Sequence, residues 1–301
     1  MTSAQKSFTG NRGFTILILA AVSLLALSCS RNAAVTPNPR ASGNPQTFTR
    51  IISAAPSNTE IIVGLGMGDL LIAVDKYSTD IKDMPEGLTE IDFFYPDIEA
   101  IIGLAPDIIL LNEINTYGVA DNPFKQLNDL GIHVAERASS GSIEGIYSDI
   151  MFIAELLGVK ERGEALVSSM KEEINGIVSQ SAGNNKKVYF EISSSPTIVT
   201  FGSGVYLNEL IEIAGGKNIF TEQKGWFSPS AEEIINRDPE VIFVVDYHGT
   251  EQISDMKQRT AFDNIAAVKE NRIYIVEANS ASRPTQNIML ALREIVRALQ
   301  D

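Results

Sequence analysis

The chain of 301 residues holds one cysteine, two histidines and one tryptophan, and each scarcity excludes a class of chemistry. Cys29 stands near the start, so the body of the chain has no cysteine nucleophile. His133 and His248 stand apart, with no cluster of His, Cys and carboxylates around them, which argues against a bare transition-metal site. No G-x-S-x-G elbow, no P-loop and no H-E-x-x-H helix occurs. Carboxylates are plentiful but spread over helical faces, so no pair of the glycosidase type can be singled out. Positive charge is short as well: 24 Lys and Arg stand against 38 Asp and Glu, a net charge of −14. A body this acidic argues against nucleic acid and against anionic lipid surfaces as partners. The apolar run from Phe14 to Leu27 is shorter than the roughly 20 residues that span a bilayer comfortably.

What is present begins with that run. Lys6 and Arg12 precede it, no acidic residue occurs before Glu60, and Ser28 and Cys29 close it, the layout of a bacterial export signal. Leu25 to Cys29 (LALSC) resembles a lipobox, which makes Cys29 the expected lipidation site and residues 1–28 the signal peptide. The alternative is an uncleaved anchor with a bystander cysteine. Either way the rest of the chain lies outside the cytoplasmic membrane, in the periplasm or at the cell surface. Cleavage would remove two basic residues and no acid, leaving about −16. Residues 29–49, rich in Asn, Pro, Ser, Thr and Gly, read as a flexible tether.

From about Arg50 onward, short apolar runs alternate with helical stretches. Strands are expected at RIISAA, LLIAVDKY, DIILL, HVAER, VYFEIS, VIFVVDY and RIYIVEA, which points to an α/β fold with parallel sheets. Ser57 and Glu60 have capping-box spacing ahead of a helix. Gly64, Gly66 and Gly68 lack dinucleotide-loop spacing and read as the end of that helix. A helix beginning near Ser142 is followed by another from Lys160. Most informative is a repeated phrase: PDIEAIIGLAPDIIL from Pro96 returns as PSAEEIINRDPEVIF from Pro229, 133 positions on. It aligns without gaps, placing Glu99 on Glu232. Two similar Rossmann-like lobes are therefore expected, residues 50–159 and 183–301, each presenting a glutamate at the same point. Residues 160–182 form the expected linking helix; the alternative is one more surface helix of a single larger sheet.

These features together resemble the helix-linked, class III solute-binding proteins of ABC importers, a family that binds vitamin B12, ferric siderophores and haem. The resemblance rests on RIISAAPSNTEIIVGLG, PDIEAIIGLAPDIILL, LNELIEIAGGKNIF, GWFSPSAEEIINRDPEVIFV and RPTQNIMLALREIVRAL, in that order. It implies a ligand cleft between the lobes, a permease dimer with its ATPase as partner, a monomeric binding protein, and no catalysis or cofactor. It also implies that Glu99 and Glu232 dock onto permease arginines, whereas a glutamate in a first helical turn would otherwise only complement the helix dipole.

For the ligand, Tyr77, Phe93 and Trp226 match positions that contact B12 in the family's B12 binder, with Arg283 nearby. Phe93 and Trp226 each precede a docking glutamate by the same interval, so aromatic faces are expected on both walls. Asn112 and Val199 stand where that binder has further aromatics, and Asn279 replaces an acid, which leaves cobalamin, a ferric siderophore and haem all open. His248 and Tyr117 are conceivable ligands to haem iron, while His133 looks structural. A lipid-anchored α/β enzyme or a surface adhesin stand as the alternative functions.

Overall fold

The strands form where apolar residues run without interruption, as in Ile108–Asn112 (IILLN) and Val241–Asp246 (VIFVVD). Such runs mark parallel strands covered on both faces. The computed structural model describes residues 47–116, 122–180, 185–194, 196–246 and 251–301; Cys29, Tyr117 and His248 lie outside them.

The first lobe carries β1 (Ile51–Ser53), α1 (Pro56–Gly64), β2 (Leu71–Asp75), β3 (Thr89–Ile91), α2 (Ile98–Gly103), β4 (Ile108–Asn112), α3 (Lys125–Asp129) and β5 (His133–Arg137). Its five strands are parallel in the order β3-β2-β1-β4-β5. The chain then runs through α4 (Ile143–Leu156) and α5 (Lys160–Gln180), a helix of 21 residues and so about 30 Å long. The second lobe follows with β6 (Lys187–Glu191), β7 (Thr200–Phe201), α6 (Tyr206–Ile213), β8 (Lys217–Asn218), β9 (Trp226–Phe227), α7 (Ala231–Arg237) and β10 (Val241–Asp246). It ends with α8 (Glu251–Gln258), α9 (Ala266–Lys269), β11 (Ile273–Glu277), α10 (Ala278–Ser282) and α11 (Ile288–Gln300). Its main sheet is parallel in the order β11-β10-β6-β8, and β7 pairs with β9 antiparallel beside it.

The repeated phrase is a structural repeat down to single hydrogen bonds. α2 and α7 begin at matching positions, as do β4 and β10. Asp97 caps α2 by accepting from Ala100 N, and Ser230 caps α7 by accepting from Glu233 N. Ala105 and Asp238, again equivalent, both turn the chain through the left-handed region at φ 47° and 48°. Asp107 then accepts from Arg50 N on β1's edge, and Glu240 accepts from Lys187 N on β6. Ile101 and Ile234 are fully buried beneath their helices.

Period-two alternation sorts the strand residues into three apolar regions. Ile51, Ile108 and Leu110 from one sheet, and Val188, Phe190, Val241 and Phe243 from the other, meet in a single cluster with α4, α5 and α11. Ile52, Ile109 and Leu111 face a separate cluster on the outer side of the first sheet, and Tyr189, Ile242 and Val244 do the same in the second. Pro45–Asp301 accordingly form one compact unit.

One local expectation is corrected and its neighbour holds. Ser57 and Glu60 make no capping box: α1 starts at Pro56 behind Ala55, without a side-chain cap. Glu60 lies too far into the helix and its carboxylate is committed elsewhere. Gly66, at φ 70°, ends α1 as expected, with Met67 N donating to Ile62 O.

Asp107 also ties down the chain entering β1, accepting from Thr49 N at 2.7 Å, Thr49 Oγ1 at 2.8 Å and Arg50 N at 2.9 Å. The Thr49 N–H contributes most to holding this carboxyl below the usual aspartate range. A depressed carboxyl contributes stability that is complete above the unfolded value, near pH 4, and disappears as pH falls through the folded value. Asp107→Ala is therefore expected to cost about 1–2 kcal/mol at pH 7 and less at pH 3, by urea denaturation. A loss that does not shrink in acid would assign the effect to packing.

Candidate functional site

A cleft of about 590 Å³ opens where the C-terminal ends of the first lobe's strands meet α10 of the second. One wall is built from Ala55 and the first turn of α1 (Pro56, Ser57) after β1 and from the segments after β2 (Tyr77), β4 (Glu113, Ile114) and β5 (Ser139), with Asn112 at the strand end itself. The other wall is Asn279, Ser282, Arg283 and Pro284. Open α/β sheets hold ligands outside the carboxyl ends of their strands because those loops are free to vary over a fixed scaffold.

Tyr77 faces this cleft and is 55 % exposed. It is held in place: Asp75 accepts from Tyr77 N at 2.8 Å, and Phe94 meets its ring edge-on at 6.4 Å. Lys76 Nζ lies 5.0 Å from the ring centroid while paired to Asp92 at 2.7 Å. Desolvation raises the Asp75 carboxyl above its ordinary range, the hydrogen bond from Tyr77 N opposing it.

Phe93 does not join Tyr77. It is 2 % exposed and packs against Phe124 beneath the sheet, which leaves no ring surface for a ligand. Trp226, its counterpart in the repeat, is 51 % exposed and meets Phe201 edge-on at 5.5 Å, but is not among the residues lining the cleft. The mirror fails for a local reason. Trp226 and Phe227 lie in β9, where alternation turns Trp226 out and Phe227 in against Phe220. Residues 92–95 form a turn closed by Tyr95 N to Asp92 O and Phe94 N to Asp92 Oδ1, which turns Phe93 in and Phe94 out. Phe94, 56 % exposed, is the one of the two adjacent aromatics that faces outward, where the sequence pointed to Phe93.

Arg283 lines the cleft, yet its guanidinium is already occupied. Nη1 donates to Glu60 at 2.9 Å; Nη2 donates to Asp80 at 2.9 Å and to Tyr77 O at 3.1 Å. Burial alone would lower its pKa, and the bonds to Glu60 and Asp80 outweigh that and raise it. Glu60, buried in α1, also accepts from Thr285 Oγ1 at 2.6 Å and Asn287 Nδ2 at 2.8 Å. The segment Arg283–Asn287 is thus clamped onto the first lobe by one carboxylate. A charged residue inside the apolar run NTEIIVGLG was the available signal for Glu60; Asp80 had none.

The substituted positions divide similarly. Asn112 and Asn279 line the cleft, but Asn112 Nδ2 donates to Ser139 Oγ at 2.7 Å and Asn279 Nδ2 to Asp80 at 2.6 Å. Val199 bridges to Ser193, away from the lining. His133 starts β5 and stacks on Phe48 at 5.5 Å. Among the described residues no group of three or more His, Cys, Asp and Glu could hold a metal ion, and no helix is long and apolar enough to cross a membrane.

Glu99 and Glu232 are both exposed and each is the second residue of its helix. Neither carboxylate has a hydrogen bond or ion pair among the described residues. In α7 the capping-box role belongs to Glu233, whose carboxylate accepts from Ser230 N at 2.9 Å, so Glu232 is free of it.

Two parallel α/β lobes around an interlobe cleft place the chain in the class of two-lobed solute-binding proteins. The periplasmic binding protein family matches residues 51–279, and the chain belongs to that family. It is similar to an uncharacterized ABC transporter substrate-binding lipoprotein, YvrC, of Bacillus subtilis, 29 % identical over 83 % of this chain and 79 % of the relative. It is also similar to the vitamin B12-binding protein of Vibrio campbellii, 28 % identical over 82 % of this chain and 87 % of the relative. Among solved structures it resembles a possible iron-binding (periplasmic solute-binding) protein from Staphylococcus epidermidis at 30 % identity and TM-score 0.76, covering 85 % of this chain and all of the other. These relatives are substrate-binding transport proteins, and this chain is a binding protein of that type, not an enzyme.

Proposed function

We propose that this protein is the lipid-anchored capture component of an ABC importer, taking cobalamin or a related iron chelate into the interlobe cleft and delivering it to the permease. The observation that carries the reading is the cleft itself: a preformed space at the strand ends, with the exposed ring of Tyr77 on one wall and Arg283 on the other. Tyr77, with Phe94 packed edge-on against it from outside the lining, offers an apolar face to a flat ligand, and the serine hydroxyls and Asn279 offer polar groups around it. Trp226 contributes from outside the lining, as an aromatic at the edge of the second lobe. Lipidation at Cys29 would hold the protein at the outer side of a bacterial membrane, with the tether expected over residues 29–49 ending short of Phe48 and Thr49, which pack on His133 and bond to Asp107.

Titration of the purified protein with cobalamin, haem and ferric siderophores, followed by Trp226 fluorescence and visible absorption, tests the ligand class. No response to any of them would remove it. The intact mass of the same sample reports whether Cys29 carries lipid.

Delivery rests on Glu99 and Glu232, two carboxylates without a partner among the described residues, on pseudo-equivalent helix starts. Two separated charges on one rigid body can register it on a two-fold symmetric permease dimer. The double variant Glu99→Lys/Glu232→Lys is expected to lower uptake at least tenfold, roughly 1.4 kcal/mol of docking energy, while ligand affinity stays within about twofold. Uptake that survives the double reversal would sink the docking role.

A further inference from the structure

The charges around the cleft restrict what it can hold. Arg283 is the sole Lys or Arg among the lining residues, and its positive charge is shared between Glu60 and Asp80. Glu113 adds a third carboxylate on the opposite wall, exposed and without an ion pair among the described residues. Glu60 and Asp80 stand behind Arg283, in the adjoining groove, and already balance its charge, so the unbalanced charge that the described lining presents to the cleft is that of Glu113. The neighbouring cations are paired as well, Lys76 to Asp92 and Arg137, in the small cavity that adjoins the cleft at Ser57, Asn112 and Ser139, to Asp149. On the far side of Arg283, a second groove adds Asp83 and Glu277 against Lys82.

We infer that the physiological ligand carries no net negative charge and presents amide, hydroxyl or ammonium donors to the cleft; this rests on the importer reading above. An anionic chelate would find no unpaired cation among the described lining residues to offset its desolvation, and would meet the Glu113 carboxylate instead. It could claim Arg283 only by displacing Glu60 or Asp80, leaving a carboxylate stranded. A neutral or cationic ligand meets neither penalty. Its donors find the Glu113 carboxylate, the Ser57 and Ser139 hydroxyls, and the carbonyl side of Asn279.

Equilibrium titration of the purified protein in about 0.15 M salt separates the cases, since exposed charges beyond roughly 8 Å are screened there. The probes are cyanocobalamin (neutral), ferrioxamine B (cationic), and haem and a ferric tris-catecholate (both anionic). The expected result is saturable binding of at least one of the first two, at least tenfold tighter than either anion. Glu113→Gln, on the exposed wall, is expected to strengthen anion binding at least threefold, and Asp80→Asn to do the same by releasing part of Arg283. An anionic probe that binds tightest, or variants that fail to gain affinity for anions, would overturn the charge restriction and leave the importer reading standing. Failure of all four probes to bind would overturn both.

Discussion

Glu60→Ala is expected to destabilise the fold by about 3 kcal/mol or more, the cost of breaking a buried ion pair from one side. Glu60 is 4 % exposed and takes donors from three side chains, Arg283, Thr285 and Asn287, more than 220 residues away. Alanine leaves the guanidinium with Asp80 alone, and Asp80 is nearly half exposed, so that pairing is screened and offsets little. Thr285, itself fully buried, loses its acceptor outright. Glu60→Gln keeps an acceptor for Thr285 or Asn287 and should lose about half as much. Urea denaturation at neutral pH measures both, and a loss below about 1 kcal/mol for alanine would show that the clamp is not structural. Because the clamp joins segments of opposite lobes, the alanine variant should also loosen the cleft. Hydrogen exchange in α1 and in Arg283–Asn287 reports that directly.

Gly202→Ala is the second change of comparable size. A Cβ at Gly202 would lie 2.2 Å from Gln223 O, 2.5 Å from its carbonyl carbon and 2.7 Å from Phe220 O. All are backbone atoms and cannot rotate away, so the loop from Phe220 to Gly225 must shift. That loop is zipped to Gly202 and Ser203 by Gly202 N to Gly225 O at 2.9 Å and Ser203 N to Gln223 O at 2.8 Å, just before β9. The expected cost is about 3 kcal/mol, the upper end for overpacking, with altered Trp226 emission as its contact with Phe201 opens. Gly225→Ala is the control: its φ is 73° but nothing stands near its Cβ position. A strained backbone without a clash should cost about 1–2 kcal/mol. If both alanines cost the same, close approach is not what Gly202 provides.

The sequence disclosed elements that carry their own pattern and concealed those set by distant partners. The apolar runs at Ile108 and Val241 could be little else than buried strands, and the repeat, being local, carried its caps, its left-handed turns and its edge carboxylates with it. β7, β8 and β9 are two residues each, too short for any period to show. The orientation of Phe93 against Phe94 was hidden because it depends on Asp92 closing a turn in one copy while the other copy forms a strand. Glu60 was misread because its spacing to Ser57 satisfied a local rule, whereas its partners come from the last turn of chain before α11. Arg283 was placed correctly at the cleft, but its two carboxylates could not be seen from its own neighbourhood.

The apolar cluster beneath both sheets has one more consequence. Phe190 and Phe243 from the second lobe, and Ile51 and Leu110 from the first, share one apolar cluster with α4 and α5. Either lobe cut free would turn its share of that cluster to water, a larger apolar patch than soluble monomers carry. The unit of repetition is therefore not the unit of folding. What the sequence writes twice is one half of a pseudo-symmetric pair, each half completing the other as two subunits of a dimer would.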